Sequence, residues 1–177
     1  MSGAPVIRPA SRADLPDIQR IYAHHVLTGL ASFEETAPDL AEMTRRYEAL
    51  TEAGFPYLAA ELEGRVVGYS YCGPYRPRPA YRFSVENSVY LAPEAARKGI
   101  GRLLLTALIE RATALGKRQM VAVIGDSANH ASIGLHESVG FRRVGTIEGA
   151  GFKHGRWVDS VLMQRALGPG LTQPPTS

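Results

Sequence analysis

Residues 88–104 have the composition of an anion-binding element: Ser88-Val89-Tyr90-Leu91-Ala92-Pro93-Glu94-Ala95-Ala96-Arg97-Lys98-Gly99-Ile100-Gly101-Arg102-Leu103-Leu104. A strand pattern stops at Pro93, a basic loop with small residues follows, and a Leu-rich helix begins. Small residues let backbone N–H groups converge, and a helix N-terminus adds partial positive charge. Together these can hold a pyrophosphate. Two common phosphate motifs do not fit. The P-loop needs Gly-x-x-x-x-Gly-Lys-Ser/Thr, which is absent. The dinucleotide fingerprint needs a third glycine where Leu104 stands, and an early βαβ unit that the pattern lacks. A second cationic stretch, Arg76-Pro77-Arg78-Pro79-Ala80-Tyr81, carries two guanidinium groups on a Pro-stiffened loop. It suits a carboxylate or phosphinate, and it reads equally well as a solvated basic loop. Glu86 and His136 are residue types that move protons. Read alone, Glu86 is better explained as a surface carboxylate on an alternating strand, and His136 as a polar residue on a short helix. Cys72 reads as a buried strand thiol. His24 and His25 are adjacent on a helix and point in different directions, so no metal site is expected.

The elements that must position these groups are legible from periodicity. Val6 to Arg8 is a short strand, and Ser11-Arg12-Ala13-Asp14 is a variant capping box opening a helix to about Leu27. Thr36-Ala37-Pro38-Asp39 starts a second helix that stops near Gly54. Tyr57 to Leu62 and Arg65 to Cys72 form a hairpin about Glu63-Gly64. Gly73 to Phe83 is a loop, Ser84 to Leu91 a strand, and Gly99 to Leu115 a helix ended by Gly116. Met120 to Ile124 is a strand apolar on both faces, and His130 to Val139 is a short helix. Phe141 to Ile147 and Trp157 to Arg165 are closing strands. This order predicts an α+β domain over residues 1–167, with a mixed, mostly antiparallel central sheet flanked by helices. Residues 168–177, rich in Gly, Pro and Thr, are expected to be a disordered tail.

The anion-binding stretch resembles the Gln/Arg-x-x-Gly-x-Gly/Ala loop of the GNAT superfamily of N-acetyltransferases, with Ala96 in place of the first Gln or Arg. A second signature follows: Asn129-His130-Ala131-Ser132-Ile133-Gly134-Leu135-His136-Glu137-Ser138-Val139-Gly140-Phe141 resembles Asn-x-x-Ala-x-x-x-Tyr-x-x-x-Gly-Phe. His136 stands where many members have Tyr. That exchange, with Gly73-Pro74-Tyr75, Glu86-Asn87-Ser88-Val89-Tyr90, Val121-Ala122-Val123-Ile124-Gly125 and Gly151-Phe152-Lys153-His154-Gly155-Arg156-Trp157-Val158-Asp159, is similar to the phosphinothricin and methionine sulfoximine or sulfone acetyltransferase branch. The resemblance covers roughly residues 6 to 165.

The resemblance implies a GNAT fold and acetyl-coenzyme A as cosubstrate. It implies Glu86 as general base and His136 as a second proton carrier, base or acid. Ser88, Val89 and Tyr90 would pair with the pantetheine amides. Ala96, Arg97, Lys98, Gly99, Ile100 and Gly101 would cradle the pyrophosphate, and Asn129 would contact coenzyme A. Phe33 matches an aromatic that lines the family's acceptor pocket, and it reads also as a core or lid aromatic; Arg76, Arg78 and Tyr81 are expected at the same acceptor on the chemistry of their loop. The implied reaction is direct acetyl transfer to the amino group of a small amino acid analogue. Another amine, a protein N-terminus, or coenzyme A binding without turnover are the competing readings. Relatives of this kind imply a homodimer.

Composition adds bounds. The chain has 177 residues and a net charge of +3. It has no long Lys/Arg run or aromatic stripe, so nucleic acid is not an expected partner. No apolar run reaches bilayer length, so no membrane segment is expected. Met1-Ser2-Gly3-Ala4-Pro5 lacks a basic stretch followed by an apolar core, so no signal peptide is expected and the cytoplasm is the default.

Overall fold

The computed structural model describes residues 3–176, so the reading of Met1 and Ser2 and the last residue of the expected tail, Ser177, lie outside the described residues. Seven strands form one sheet: β1 (Val6–Pro9), β2 (Tyr57–Leu62), β3 (Arg65–Pro74), β4 (Ser84–Leu91), β5 (Gln119–Gly125), β6 (Arg142–Lys153) and β7 (Arg156–Ala166). Their order is β1-β2-β3-β4-β5-β7-β6. Four helices flank it: α1 (Leu15–Thr28), α2 (Leu40–Glu52), α3 (Ile100–Ala114) and α4 (His130–Ser138). The fold is α+β, and among the described residues β4–β5 is the sole parallel pair in the sheet.

Alternation along β4 assigns its faces. Tyr90 packs edge-on against Tyr22 of α1 at 5.1 Å, and the Asn87 side chain reaches His136 of α4. Successive side chains of a strand point to opposite faces. Glu86, Ser88 and Tyr90 therefore share the α1 face, while Asn87 and Val89 share the α3/α4 face. The α3 side of the core is built on Ile100, Leu104, Leu105 and Leu108, all essentially inaccessible. Each such side chain contributes about 1.5–3 kcal/mol on burial. A Cβ on Gly68 would meet Leu91 and Leu104 side-chain carbons at 2.6 and 3.2 Å, so this glycine lets α3 lie close against β3.

Several boundaries differ from expectation for identifiable reasons. The Ser11 box opens a 3-10 turn, Arg12–Asp14, ahead of α1. Asp14 accepts from the Ser11 N–H at 2.7 Å and takes a two-pronged contact from Arg8 at 2.8 and 2.9 Å. Helix α2 begins at Leu40, because Asp39 is its N-cap and accepts from the Glu42 N–H at 2.8 Å. Strand β6 does not stop at Ile147 but continues to Lys153. The Gly-rich stretch after Ile147 is a register irregularity within the ladder, where the Gly149 N–H donates to Asp159 at 3.0 Å. Leu167, the last residue of the expected domain, is buried, and Arg118 donates to the carbonyls of Gly170, Gln173 and Pro174, in the stretch expected to be a tail, at 3.0–3.1 Å.

Candidate active site

The parallel pairing of β4 with β5 lasts only from Ser84–Gln119 to Glu86–Val121. Beyond it the strands part. The outer edge of β4 stays paired to β3 as far as Leu91, and that of β5 to β7 as far as Gly125. The edges facing each other are left without strand partners, so a wedge opens between them. It is lined by Asn87 to Tyr90, Ala122 to Gly125, and Asn129, Ser132 and His136 of the α4 region, with Ala31 at one side. A peptide-like chain entering here finds strand donors and acceptors free.

The basic loop follows directly from this wedge. Arg97 and Gly99 adopt left-handed conformations, φ +60° and +76°. Such backbone makes anion-binding concavities. The Leu103 N–H bonds back to the Gly99 carbonyl, so the N–H groups of Ile100, Gly101 and Arg102 precede the first helical bond. Ala96, Arg97, Lys98 and Gly99 are exposed. Among the described residues Arg97, Lys98 and Arg102 have no carboxylate partner. Gly101 carries a second constraint that the motif does not reveal. It is buried, and a Cβ there would lie 3.2 Å from Leu135 of α4. The Ile100 side chain belongs to the core.

Glu86 is half-buried on the α1 face, and its carboxylate forms no hydrogen bond or ion pair among the described residues. Burial raises its carboxyl above the usual range, and the charge of Arg76 partly opposes that. Arg76 therefore stands near the acid from the Pro-stiffened loop, itself stacked over Tyr75 at 5.1 Å. Tyr81 packs edge-on against Tyr75 at 5.7 Å, and Arg78 is exposed. His136 lies across the sheet on the α4 side, buried. Burial lowers its pKa. The two candidate proton carriers thus approach the wedge from opposite faces of β4 and do not touch. Asn129 lines the wedge and also caps α4, accepting from the Ser132 N–H at 3.1 Å.

Phe33 does not line the wedge. It is 42% exposed and covers the backbone of β6 at Gly151, where a Cβ would come within 2.7 Å of the ring. It belongs to a strap, residues 29–35, that sequence reasoning missed as a unit. The strap crosses the end of β5 so closely that a Cβ on Gly125 would stand 2.0 Å from the Leu30 carbonyl oxygen. Lys153, buried on β6, donates to the Ser32 carbonyl at 2.7 Å. Glu34 takes both arms of Arg46 at 2.6 and 3.0 Å and a short contact from the Tyr22 hydroxyl. Cys72 is fully buried, with its thiol pushed up to about 12 by burial.

Residues 7–162, which include both the open wedge and the phosphate-type loop, match the family model described as an acetyltransferase (GNAT) domain. The chain belongs to the GNAT acetyltransferase family. This acetyltransferase is 52% identical to phosphinothricin N-acetyltransferase of Alcaligenes faecalis, over 96% of this chain and 86% of the relative. It is 44% identical to the L-methionine sulfoximine/L-methionine sulfone acetyltransferase of Pseudomonas paraeruginosa, over 95% and 98%. A phosphinothricin acetyltransferase from Sinorhizobium meliloti, solved in complex with AcCoA, superposes with a TM-score of 0.96 at 49% identity, covering 99% of this chain and 95% of that one. No helix among the described residues is long and apolar enough to cross a membrane.

Proposed function

We propose that this acetyltransferase moves the acetyl group of acetyl-coenzyme A onto the amino group of a small amino acid analogue of the phosphinothricin or methionine sulfoximine/sulfone type. The observation that carries the reading is the wedge between β4 and β5. The pantetheine arm lies along the free edge of β4 at Ser88, Val89 and Tyr90, with Asn129 at its side. The pyrophosphate rests on residues 96–101, held by backbone N–H groups and the unpaired cations Arg97 and Lys98. Ala96 in the motif's first position removes one side-chain contact and leaves the backbone donors.

Transfer is direct. The amine must lose a proton before its lone pair can attack, and holding it beside the thioester makes the encounter effectively unimolecular. Glu86 is the base, at the strand end nearest Arg76. Arg76 and Arg78 anchor the anionic side group, Tyr81 packs beside them, and Phe33 on its strap borders the acceptor. The protein works in the cytoplasm as a homodimer joined through the β6–β7 face. The experiment is coenzyme A release measured against phosphinothricin, methionine sulfoximine, methionine sulfone, ordinary amino acids and a polyamine at equal concentration. The expected result is highest kcat/KM for the analogues. Preference for the polyamine would overturn the acceptor class and leave the acetyltransferase assignment standing.

A further inference from the structure

We infer that Asn87 is a positioning residue that fixes the proton of His136 on Nδ1 and so makes this imidazole begin the reaction as a proton acceptor. The inference rests on the acetyltransferase reading of the wedge. His136 Nδ1 lies 2.7 Å from the Ser132 carbonyl oxygen. A carbonyl only accepts, so Nδ1 carries the hydrogen and donates it. In a neutral imidazole Nε2 is then a bare lone pair. Asn87 supplies the matching donor, Nδ2, at 3.1 Å. The other orientation of the amide would set its oxygen against that lone pair, two acceptors facing each other. Ser132 on one side and Asn87 on the other therefore specify one tautomer. All three residues line the wedge.

The surroundings favour the neutral ring. His136 is 4% exposed. Its neighbours in the wedge are Asn87 and Val89 of β4, Ala122 and Ile124 of β5, and Ser132 of its own helix, with the Phe141 ring edge-on at 5.0 Å. None of these titrates, and Glu86 leaves β4 by the opposite face. No charged group acts on the ring.

In the reaction Glu86 takes the first proton, from the ammonium, and so frees the lone pair that forms the new C–N bond. The second proton, shed by that nitrogen as the C–S bond of the thioester breaks, goes to Nε2 as the Asn87 N–H swings off its lone pair, and the resulting imidazolium returns it to the thiolate sulfur, giving amide and thiol. Asn87 serves both states of the ring. Its Nδ2 meets the neutral form. Its Oδ1, already 3.4 Å from Nε2, accepts from the charged form once the amide turns. Sequence alternation alone places Asn87 away from Glu86, and only the fold places it against His136.

Two measurements test this. Imidazole 15N shifts of the unsubstituted protein should show His136 protonated at Nδ1 and bare at Nε2 at neutral pH. Asn87→Asp keeps the shape but offers only acceptors, which favours a protonated Nε2. The His136 titration followed by NMR and the acid limb of kcat/KM should then both move up by about one pH unit or more, a roughly tenfold loss at a pH below both the old and the new limb. An Nε2–H tautomer in the unsubstituted protein, or an unmoved His136 titration in a folded Asn87→Asp variant, would overturn the inference. Should the variant fail to fold, the tautomer alone decides. Absence of acetyl transfer by the unsubstituted protein would instead count against the acetyltransferase reading.

Discussion

Glu86 occupies an environment that suits a base. Burial without a hydrogen-bond partner raises its carboxyl above the ordinary 4.5, so it ionises late and holds a proton more readily when it does. Two consequences follow with opposite signs. Activity that needs the carboxylate falls as pH drops through a value above 4.5. Stability behaves in reverse: the folded chain keeps this proton longer than the unfolded chain, so ionising Glu86 costs stability as pH rises through the same window. Glu86→Gln should therefore lower kcat by on the order of 100-fold to 10,000-fold while leaving the melting temperature unchanged or slightly higher at neutral pH. Rate against pH and thermal unfolding check both halves. A variant with the parent's rate and acid limb would remove Glu86 from the base role. The residue type and its place before the basic loop were visible in the sequence. Its lack of partners was not, because that depends on what α1 and the 75–83 loop bring near it.

The strap is the element that tertiary contact builds. Residues 29–35 have no periodicity, so no sequence pattern marks them as structured. They are held by Lys153, Arg46 and Tyr22, which come from three different elements. Gly125 is the contact's steric condition. Its backbone is ordinary strand, paired with Ser160, so the demand is for space and not for an unusual φ. Gly125→Ala should push the Leu30 backbone away at a cost of about 1–3 kcal/mol and raise the acceptor KM. A glycine without neighbours makes the control. Nothing lies within 4 Å of a Cβ on Gly134 in α4, so Gly134→Ala should be stabilising by up to about 1 kcal/mol through helix propensity. Thermal unfolding and acceptor kinetics of the two variants test the difference. Equal stability for both would show that the strap yields without cost.

At the scale of the whole molecule, β6 is a sheet edge and its hairpin with β7 is apolar on the outside. Val144, Ile147, Phe152 and Trp157 are each more than half exposed, Trp157 at 70%, and Phe152 and Trp157 pack edge-on at 5.1 Å. A single exposed apolar residue needs no explanation, but a group of them on an edge hairpin marks a contact surface. The proposed homodimer should give about twice the 19.2 kDa chain mass in light scattering. Trp157→Arg should shift it toward the monomer by placing a charge in the apolar contact. A parent protein already monomeric at micromolar concentration would refute the proposal.

Local chemistry explains what the sequence determined alone. Alternation, helical spacing, the Asp39 cap and the glycines about residue 99 specified most elements, because each signal acts within one or two turns of chain. The phosphate-type loop was legible for the same reason: its donors are consecutive backbone groups. Tertiary structure decided what separates residues close in sequence and joins those far apart. Glu86 and Asn87 are neighbours in the chain, yet the pleat sends one to Arg76 and the other to His136, 49 residues away. The tail reads as disordered by composition, yet Arg118 donates to three of its carbonyls, contacts no local pattern records. The wedge itself comes from two strands, distant in the chain, that pair over three residues and then diverge, so it exists only once the twisted sheet has formed.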